Sequence, residues 1–319
     1  MKGYGKMLDE FGIQLVRLDL PFRLNHVNCF LGEGENGWVV IDTGLHNDYT
    51  AARWDEELEG KHVTDIYITH YHPDHFGYAG GLQKETSACL SMTKIDEDLG
   101  IGAWEEHHLQ TFRNNYELAG VPSTISKQLV DNMESFVPMV KPYPKVDHYL
   151  NEGERVKIGK YSYEVIFTPG HSDGLIVFYN QEKSILLSTD HILPKITPNI
   201  SYWFYGNPNP LGTYLQSLEK IRKLDVEIVI PSHGFPFTNA NCRIDEIMEH
   251  HEKRLEKLLI ELANGQTVFE ACKKLFSKNH NPHDLRFAIG ETLAHLEYLR
   301  IKGECKREII AGKYIYFRG

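Results

Sequence analysis

The chain has 319 residues, is 41% hydrophobic and 24% charged, and carries 34 Lys and Arg against 44 Asp and Glu, a net charge of -10. That length and apolar content suffice for a large core. They exclude a disordered or collagen-like chain, and the acidic balance argues against a generally basic nucleic-acid binder.

In chain order, alternating apolar runs at 13–20, 27–31 and 38–41 predict antiparallel strands separated by turn residues. A polar helix is expected over 48–58 and a strand over 63–69, followed by one helix from about residue 74 past Gly77, Gly80 and Gly81. Residues 87–92 read as a further strand. From about 94 to 140 the apolar residues fall at helical spacing, broken at Gly120 and Pro122, which predicts a two-helix insert. Strands resume at 156–158, 163–167, 175–179 and 184–188, then a helix over 211–224 and a buried strand over 226–230. Beyond residue 242 the pattern becomes three helices (to 262, 268–276 and 283–301) and a terminal hairpin at 305–317, the order of a winged helix. The expected domains are therefore 1–242 and 243–319, with net charges of -12 and +2.

Seventeen histidines are present, about one residue in nineteen, and their placement matters more than their number. Thr69-His70-Tyr71-His72-Pro73-Asp74-His75 follows an apolar strand directly. A strand period of two can present His70 and His72 on one side. Pro73 extends His72 and suits the first position of a helix, so Asp74 and His75 arrive from the helix start. Imidazoles and a carboxylate at this density suit a divalent metal such as Zn²⁺, Fe²⁺ or Mn²⁺. Three later strands end in the same way, at Pro169-Gly170-His171, at Asp190 and at Pro231-Ser232-His233. Ligands so far apart in sequence serve one site only if these strands share one sheet edge, which is the expectation.

With Ile41-Asp42-Thr43-Gly44 and Gly234 added, these motifs, in this order over residues 1–242, resemble the metallo-β-lactamase superfamily of hydrolases. The resemblance implies an α/β fold, an αββα sandwich with a dinuclear metal site at one sheet edge. It places His70, His72 and His171 on one metal and Asp74, His75 and His233 on the other, with Asp190 bridging and Asp42 holding the ligand loop. Two divalent ions are implied, zinc first, with iron or manganese as alternatives. Asp74 is the expected proton carrier. His191, beside Asp190, is a second candidate that could donate to a leaving group.

A bridging carboxylate at Asp190 disfavours true β-lactamase activity, and Leu193 stands where lactonases of the superfamily usually carry tyrosine. The C-terminal pattern resembles the winged-helix tail of the β-lactamase-like protein 2 group, whose members and relatives include acyl-carrier thioesterases and a single-strand endoribonuclease. The expected function is hydrolysis of a small or carrier-bound ester, most of all a thioester, with endoribonuclease and lactone hydrolase as alternatives. Nucleic acid is a possible but less favoured partner; oligomeric state is not encoded legibly.

Trp104, Phe112 and Tyr116 of the insert are candidates to line a lid. The run Tyr202-Trp203-Phe204-Tyr205 is too aromatic for all four rings to face one core, so some are expected to face a ligand. His107 and His108 read as surface residues, and His250, His251 and His295 as helix-surface or packing histidines, because nothing pairs them at metal spacing. Cys29, Cys89, Cys242, Cys272 and Cys305 form no CxxC pair. Residues 1–10 contain no apolar signal core, and no run approaches the ~18 apolar residues of a membrane span. A cytoplasmic protein without a membrane partner or disulfide framework is expected.

Overall fold

The computed structural model of the chain describes residues 2–276 and 281–319. An N-terminal helix α1 (Lys2–Phe11) leads into β1 (Ile13–Asp19), β2 (His26–Glu33) and β3 (Trp38–Ile41). Then follow α2 (Asp48–Leu58), β4 (Val63–Tyr67), α3 (Pro73–Phe76), α4 (Ala79–Thr86) and β5 (Cys89–Met92). The insert holds α5 (Lys94–Gly102), α6 (Glu106–Leu118) and α7 (Ser123–Glu134), and β6 (His148–Tyr149) returns to the first sheet. The second sheet contains β7 (Arg155–Ile158), β8 (Tyr161–Phe167), β9 (Ile176–Asn180), β10 (Ile185–Thr189) and, after α8 (Pro210–Arg222), β11 (Ile228–Pro231). The C-terminal segment comprises α9 (Ala240–Glu261), β12 (Gln266–Thr267), α10 (Val268–Leu275), α11 (Pro282–Ile301), β13 (Cys305–Ile310) and β14 (Lys313–Arg318).

Two sheets face each other, ordered β1-β2-β3-β4-β5-β6 and β11-β10-β9-β8-β7. Inward residues of both, among them Phe30, Ile41, Val165, Phe178, Leu187 and Ile230, form one buried core. The outer face of the first sheet is covered by Trp54 of α2 and Leu82 of α4, and that of the second by Leu211, Tyr214 and Leu218 of α8 with Ile244 and Ile247 of α9. Helices therefore cover both outer faces of a two-sheet sandwich, the αββα architecture expected. The runs read as strands are continuous and apolar where both faces are covered; β9 and β10 are buried at every position.

Three expectations need correction. The helix after Asp74 is two short helices, the helical dihedrals being interrupted at Tyr78 (φ -89°, ψ 4°), and Gly77 before it has no room for a side chain, since an added Cβ would stand 2.4 Å from the Met139 carbonyl oxygen. The insert has three helices, not two. Its start at Lys94, capped by Thr93 Oγ1 accepting from Asp96 N, agrees with the expected boundary, but the run read as one helix breaks between Gly102 and Glu106 into α5 and α6 although its apolar residues keep helical spacing. The N-terminal helix α1 was not anticipated; its Leu8 and Phe11 close one end of the sandwich core.

The insert does not pack on itself alone. Phe112, Tyr116, Leu129 and Met133 share a buried cluster with Leu258, Phe269, Ile289 and Leu296 of the C-terminal helices. That segment also carries a three-stranded sheet ordered β12-β14-β13, and α10 begins with a reciprocal cap between Thr267 and Glu270. No helix among the described residues is long and apolar enough to cross a membrane.

Candidate metal centre

The C-terminal ends of β4, β8, β10 and β11 deliver the motif residues to one place, but not along one sheet. β4 belongs to the six-stranded sheet and the other three to the five-stranded sheet. The expectation of a single shared sheet edge is therefore corrected: the residues meet where the two sheets abut, and the backbone bond from Ile176 N to Thr69 O, 3.1 Å, ties the sheets together there.

His70 Nε2 lies 3.1 Å from His72 Nδ1, which lies 2.8 Å from His171 Nε2. On the other side His233 Nε2 is 3.4 Å from Asp74 Oδ2, and His75 Nε2 is 3.7 Å from the same oxygen. Asp190 stands between the two groups. Its Oδ2 is 3.4 Å from His171 Nε2, while its Oδ1 is 3.3 Å from His233 Nε2 and 3.6 Å from His75 Nε2. The groups His70/His72/His171, His70/His75/Asp190 and Asp74/His75/His233 each bring their ligand-type atoms within 4.8 Å of one another.

Four of the five imidazoles are oriented by their other nitrogen, whereas His72 Nε2 is buried with no hydrogen-bond partner. Asp42 Oδ2 meets His75 Nδ1 at 2.8 Å and also accepts from Thr69 Oγ1 at 2.8 Å, while Asp42 Oδ1 accepts from Thr69 N at 2.9 Å. Because the Thr69 hydroxyl proton goes to Asp42, the 3.0 Å contact between Thr69 Oγ1 and His70 Nδ1 requires the ring to donate, which leaves His70 Nε2 with a free lone pair. His171 Nδ1 donates to Asn199 O at 2.8 Å and His233 Nδ1 to His26 O at 2.6 Å. An acceptor behind the ring, carboxylate for His75, main chain for His171 and His233 and hydroxyl for His70, is how metal-binding histidines are held. His75 Nε2, His233 Nε2 and Asp190 Oδ1 are buried without a hydrogen-bond partner. Buried polar atoms are rarely left so, and lone pairs of N and O converging at these distances fit divalent cations. Burial pushes His70 and His72 well below the usual histidine range, favouring the neutral form that a metal requires.

Strained backbone supports the geometry. Asp42 has φ of 58° and Thr189 a φ of 47°, the latter unusual for a β-branched residue. The β10–β11 register shifts between Leu187 and Thr189, which turns the chain so that Asp190 leaves the strand toward the cluster. Asp96, not singled out in sequence reading, joins two of the loops. It accepts from Tyr71 N at 3.2 Å, Ser172 Oγ at 2.7 Å and Gly174 N at 2.6 Å. Burial raises its carboxyl to about 7 despite these donors. Its only sequence signal was an ordinary acidic residue in a first helical turn.

His191 is not brought to this cluster. It is fully buried, does not line the adjoining cavity, packs against the Tyr214 ring at 5.4 Å, and is pushed down to about 3 by burial. A residue following Asp190 on a tightly turned strand end points to the opposite side, toward the α8 layer.

The cavity beside the cluster has a volume of about 520 Å³. His72, Asp74, His171 and Asp190 line its polar side, and Leu20, Trp104, Phe112, Phe136, Trp203 and Phe287 contribute to its apolar wall. Of the aromatic run, Trp203 and Tyr205 line the cavity, while Tyr202 and Phe204 pack into the C-terminal cluster. Of the insert, Trp104 and Phe112 line it, whereas Tyr116 is buried behind. His108 is half-buried with its ring 5.9 Å from Tyr205, not a plain surface residue; the His107 side chain lies outside the described residues.

The C-terminal helices complete this wall. Arg243 Nε and Nη2 donate to Leu193 O and Ile196 O at 2.7 and 2.9 Å, and Asn199 Nδ2 donates to Glu291 Oε2 at 3.0 Å. Glu291 is also ion-paired with Arg254. His251 and His295, read as unpaired, in fact face each other at 3.0 Å and lie beside Glu291. They are 44 residues apart on α9 and α11, a spacing that no local pattern reveals.

The fold and the His/Asp cluster define a metallo-hydrolase. The chain belongs to the metallo-beta-lactamase superfamily: residues 23–233 match that family, and residues 255–318 match the metallo-beta-lactamase-like C-terminal domain. It is 24% identical over 318 residues to the probable metallo-hydrolase YqjP of Bacillus subtilis, covering 95% of this chain and 96% of the relative. It is 26% identical over 259 residues to a beta-lactamase-like protein 2 homolog of Caenorhabditis elegans, covering 78% and 69%. An atrochrysone carboxyl ACP thioesterase of Aspergillus fumigatus is 27% identical over 235 residues, 72% of this chain and 57% of that one. Among solved structures, the metallo-beta-lactamase family protein TTHA1429 of Thermus thermophilus superposes with a TM-score of 0.84 at 30% identity, covering 97% of this chain and 99% of that one.

Proposed function

We propose that the protein is a dinuclear metal-dependent hydrolase of small or carrier-bound esters, most of all thioesters. The observation that carries this reading is Asp190, whose two oxygens face two different histidine groups across one buried site. His70, His72 and His171 would hold one ion, Asp74, His75 and His233 the other, and Asp190 both. Two divalent ions there, zinc first, would lower the pKa of a shared water towards ~7 and polarise the ester carbonyl.

The chain's own residues supply the rest. Asp74, with 19% of its side chain exposed, lines the cavity and is the cluster carboxylate able to take a proton from water and pass it to the leaving thiolate. In that step the carbon–oxygen bond forms as the carbon–sulfur bond breaks, and the thiol departs with the proton. The apolar wall holds the acyl group and limits competing water. An aromatic-walled cavity and the similarity to an ACP thioesterase support an acyl substrate over a phosphate chain. Residues 243–319 are proposed as a winged-helix-like unit that closes the cavity over the sandwich of residues 1–242.

The test is turnover by metal-loaded protein across acyl-CoA, acyl-carrier, acyl-glutathione and lactone substrates, with metal stoichiometry by elemental analysis. Thioester hydrolysis at two ions per chain is expected, with loss of activity in Asp190→Ala. Turnover of lactones but no thioester, or of single-stranded RNA alone, would replace the reading.

A further inference from the structure

Arg286 is the outlier of the cavity. It is 6% exposed, lies on α11 in the C-terminal segment, and lines the same cavity as His72, Asp74, His171 and Asp190. Among the described residues it forms no ion pair, and its Nε is buried with no hydrogen-bond partner. Its guanidinium carbon instead sits over three rings, at 5.5 Å from Phe136, 5.6 Å from Trp203 and 4.9 Å from Phe287. Burial lowers its pKa, a sign of what desolvation costs the charge.

A buried cation without a carboxylate is expensive and is kept only where something compensates it. Ring faces offset part of that cost through cation–π attraction. Among the described residues no carboxylate meets the Arg286 N–H groups, whose planar fork matches one. Of the three carboxylates that line the cavity, Asp190 stands among His75, His171 and His233, Asp74 between His75 and His233, and Asp284, on the first turn of α11, makes no ion pair with Arg286.

We propose that Arg286 receives a carboxylate on the acyl part of the substrate, so that the enzyme acts on esters of acids bearing a second, anionic group. This rests on the hydrolase reading above and names its substrate class. The acyl side is assigned because a carrier cannot enter a cavity of about 520 Å³ and must remain outside, whereas Arg286 is buried with the part enclosed. Arg23 also lines the cavity but is exposed, so it lacks the desolvation that gives Arg286 its selectivity.

The experiment compares N-acetylcysteamine thioesters in matched pairs, adipoyl against hexanoyl and 3-carboxybenzoyl against benzoyl, on the full metal-loaded chain. Wild-type protein should favour the carboxylate member of each pair by about tenfold or more in kcat/KM, because the neutral member leaves the buried guanidinium unpaired. Arg286→Met should remove that preference, lowering kcat/KM for the carboxylate member by about tenfold more than for the neutral member, and Arg286→Lys should keep part of it. Equal rates on both members in wild type, or equal slowing of both in Arg286→Met, would overturn the proposal. If Arg286→Met fails to fold, the wild-type pairs and Arg286→Lys decide. Calorimetric binding of isophthalate against benzoate needs no turnover, and each acid offers one carboxylate to the metals. Tighter isophthalate binding that depends on Arg286, without thioester cleavage, would sink the thioester reading and leave the anion site standing. Thioester turnover with no pair preference would do the reverse.

Discussion

The side-chain amide of Asn199 donates to Glu291 Oε2 at 3.0 Å, and its main-chain oxygen accepts from His171 Nδ1 at 2.8 Å. One residue thus links a cluster histidine to a carboxylate on α11, so the C-terminal segment takes part in setting the ring orientation. Asn199→Ala keeps the main-chain oxygen but frees the loop from Glu291. Metal affinity, measured by competition with a chromophoric chelator, should fall by about tenfold, at the low end for groups behind a ligand. An unchanged affinity would show that His171 is held without this link.

Asp42 receives hydrogen bonds from His75 Nδ1, Thr69 N and Thr69 Oγ1. Asp42→Ala leaves those donors buried and unpaired. It should weaken metal binding by about tenfold to a hundredfold and lower unfolding free energy by about 2–3 kcal/mol. Chelator competition and urea unfolding read the two effects separately.

Gly170 has φ of 142°, and a Cβ there would stand 2.4 Å from Tyr214 Cβ. Neither the dihedral nor the contact relaxes easily, because Tyr214 is fully buried in the α8 layer. Gly170→Ala should cost about 2 kcal/mol or more and displace His171 next to it. A melting temperature within a degree of wild type would contradict this account.

His295 is buried and pushed down to about 3, first by desolvation and then by the charge of Arg254. Between its unfolded value near 6.5 and that figure, the unfolded chain binds a proton that the folded chain refuses. Its contribution is therefore complete above pH 6.5 and lost as pH falls towards 3, at up to about 1.4 kcal/mol per pH unit. His295→Gln should flatten the fall in stability between pH 6.5 and pH 5. Metal-free protein of both forms, unfolded in urea at several pH values, gives the slopes. Parallel slopes would show that the group does not titrate as described.

The strands of the sandwich that read from alternation and β-branched runs were legible because each carries its own local pattern, and α2 and α8 likewise announce themselves by periodicity and flanking turns. The brief β6 and β12 lacked such marks, and the breaks from α3 to α4 and from α5 to α6 interrupt stretches whose residues keep helical spacing. At the site, His70 through His75 were readable from spacing within one segment, and His171, Asp190 and His233 from repetition of one strand-end pattern. Asp96 and Asn199 were not, since their roles consist of hydrogen bonds to residues distant in the chain.

Sequence alone determined which histidines and aspartates form the candidate cluster and which family the chain resembles, and through that resemblance the αββα class, because the motifs are local and ordered along the chain. Only the tertiary structure decided that the donors come from two sheets, that His191 turns away from them, and that Arg286 turns in. It also decided that the insert shares a core with the C-terminal helices, with Leu129 and Met133 packed beside Ile289 and Leu296. The physical reason is common to all four: burial and the direction of a side chain depend on which distant segment lies against it, and no local periodicity encodes that neighbour.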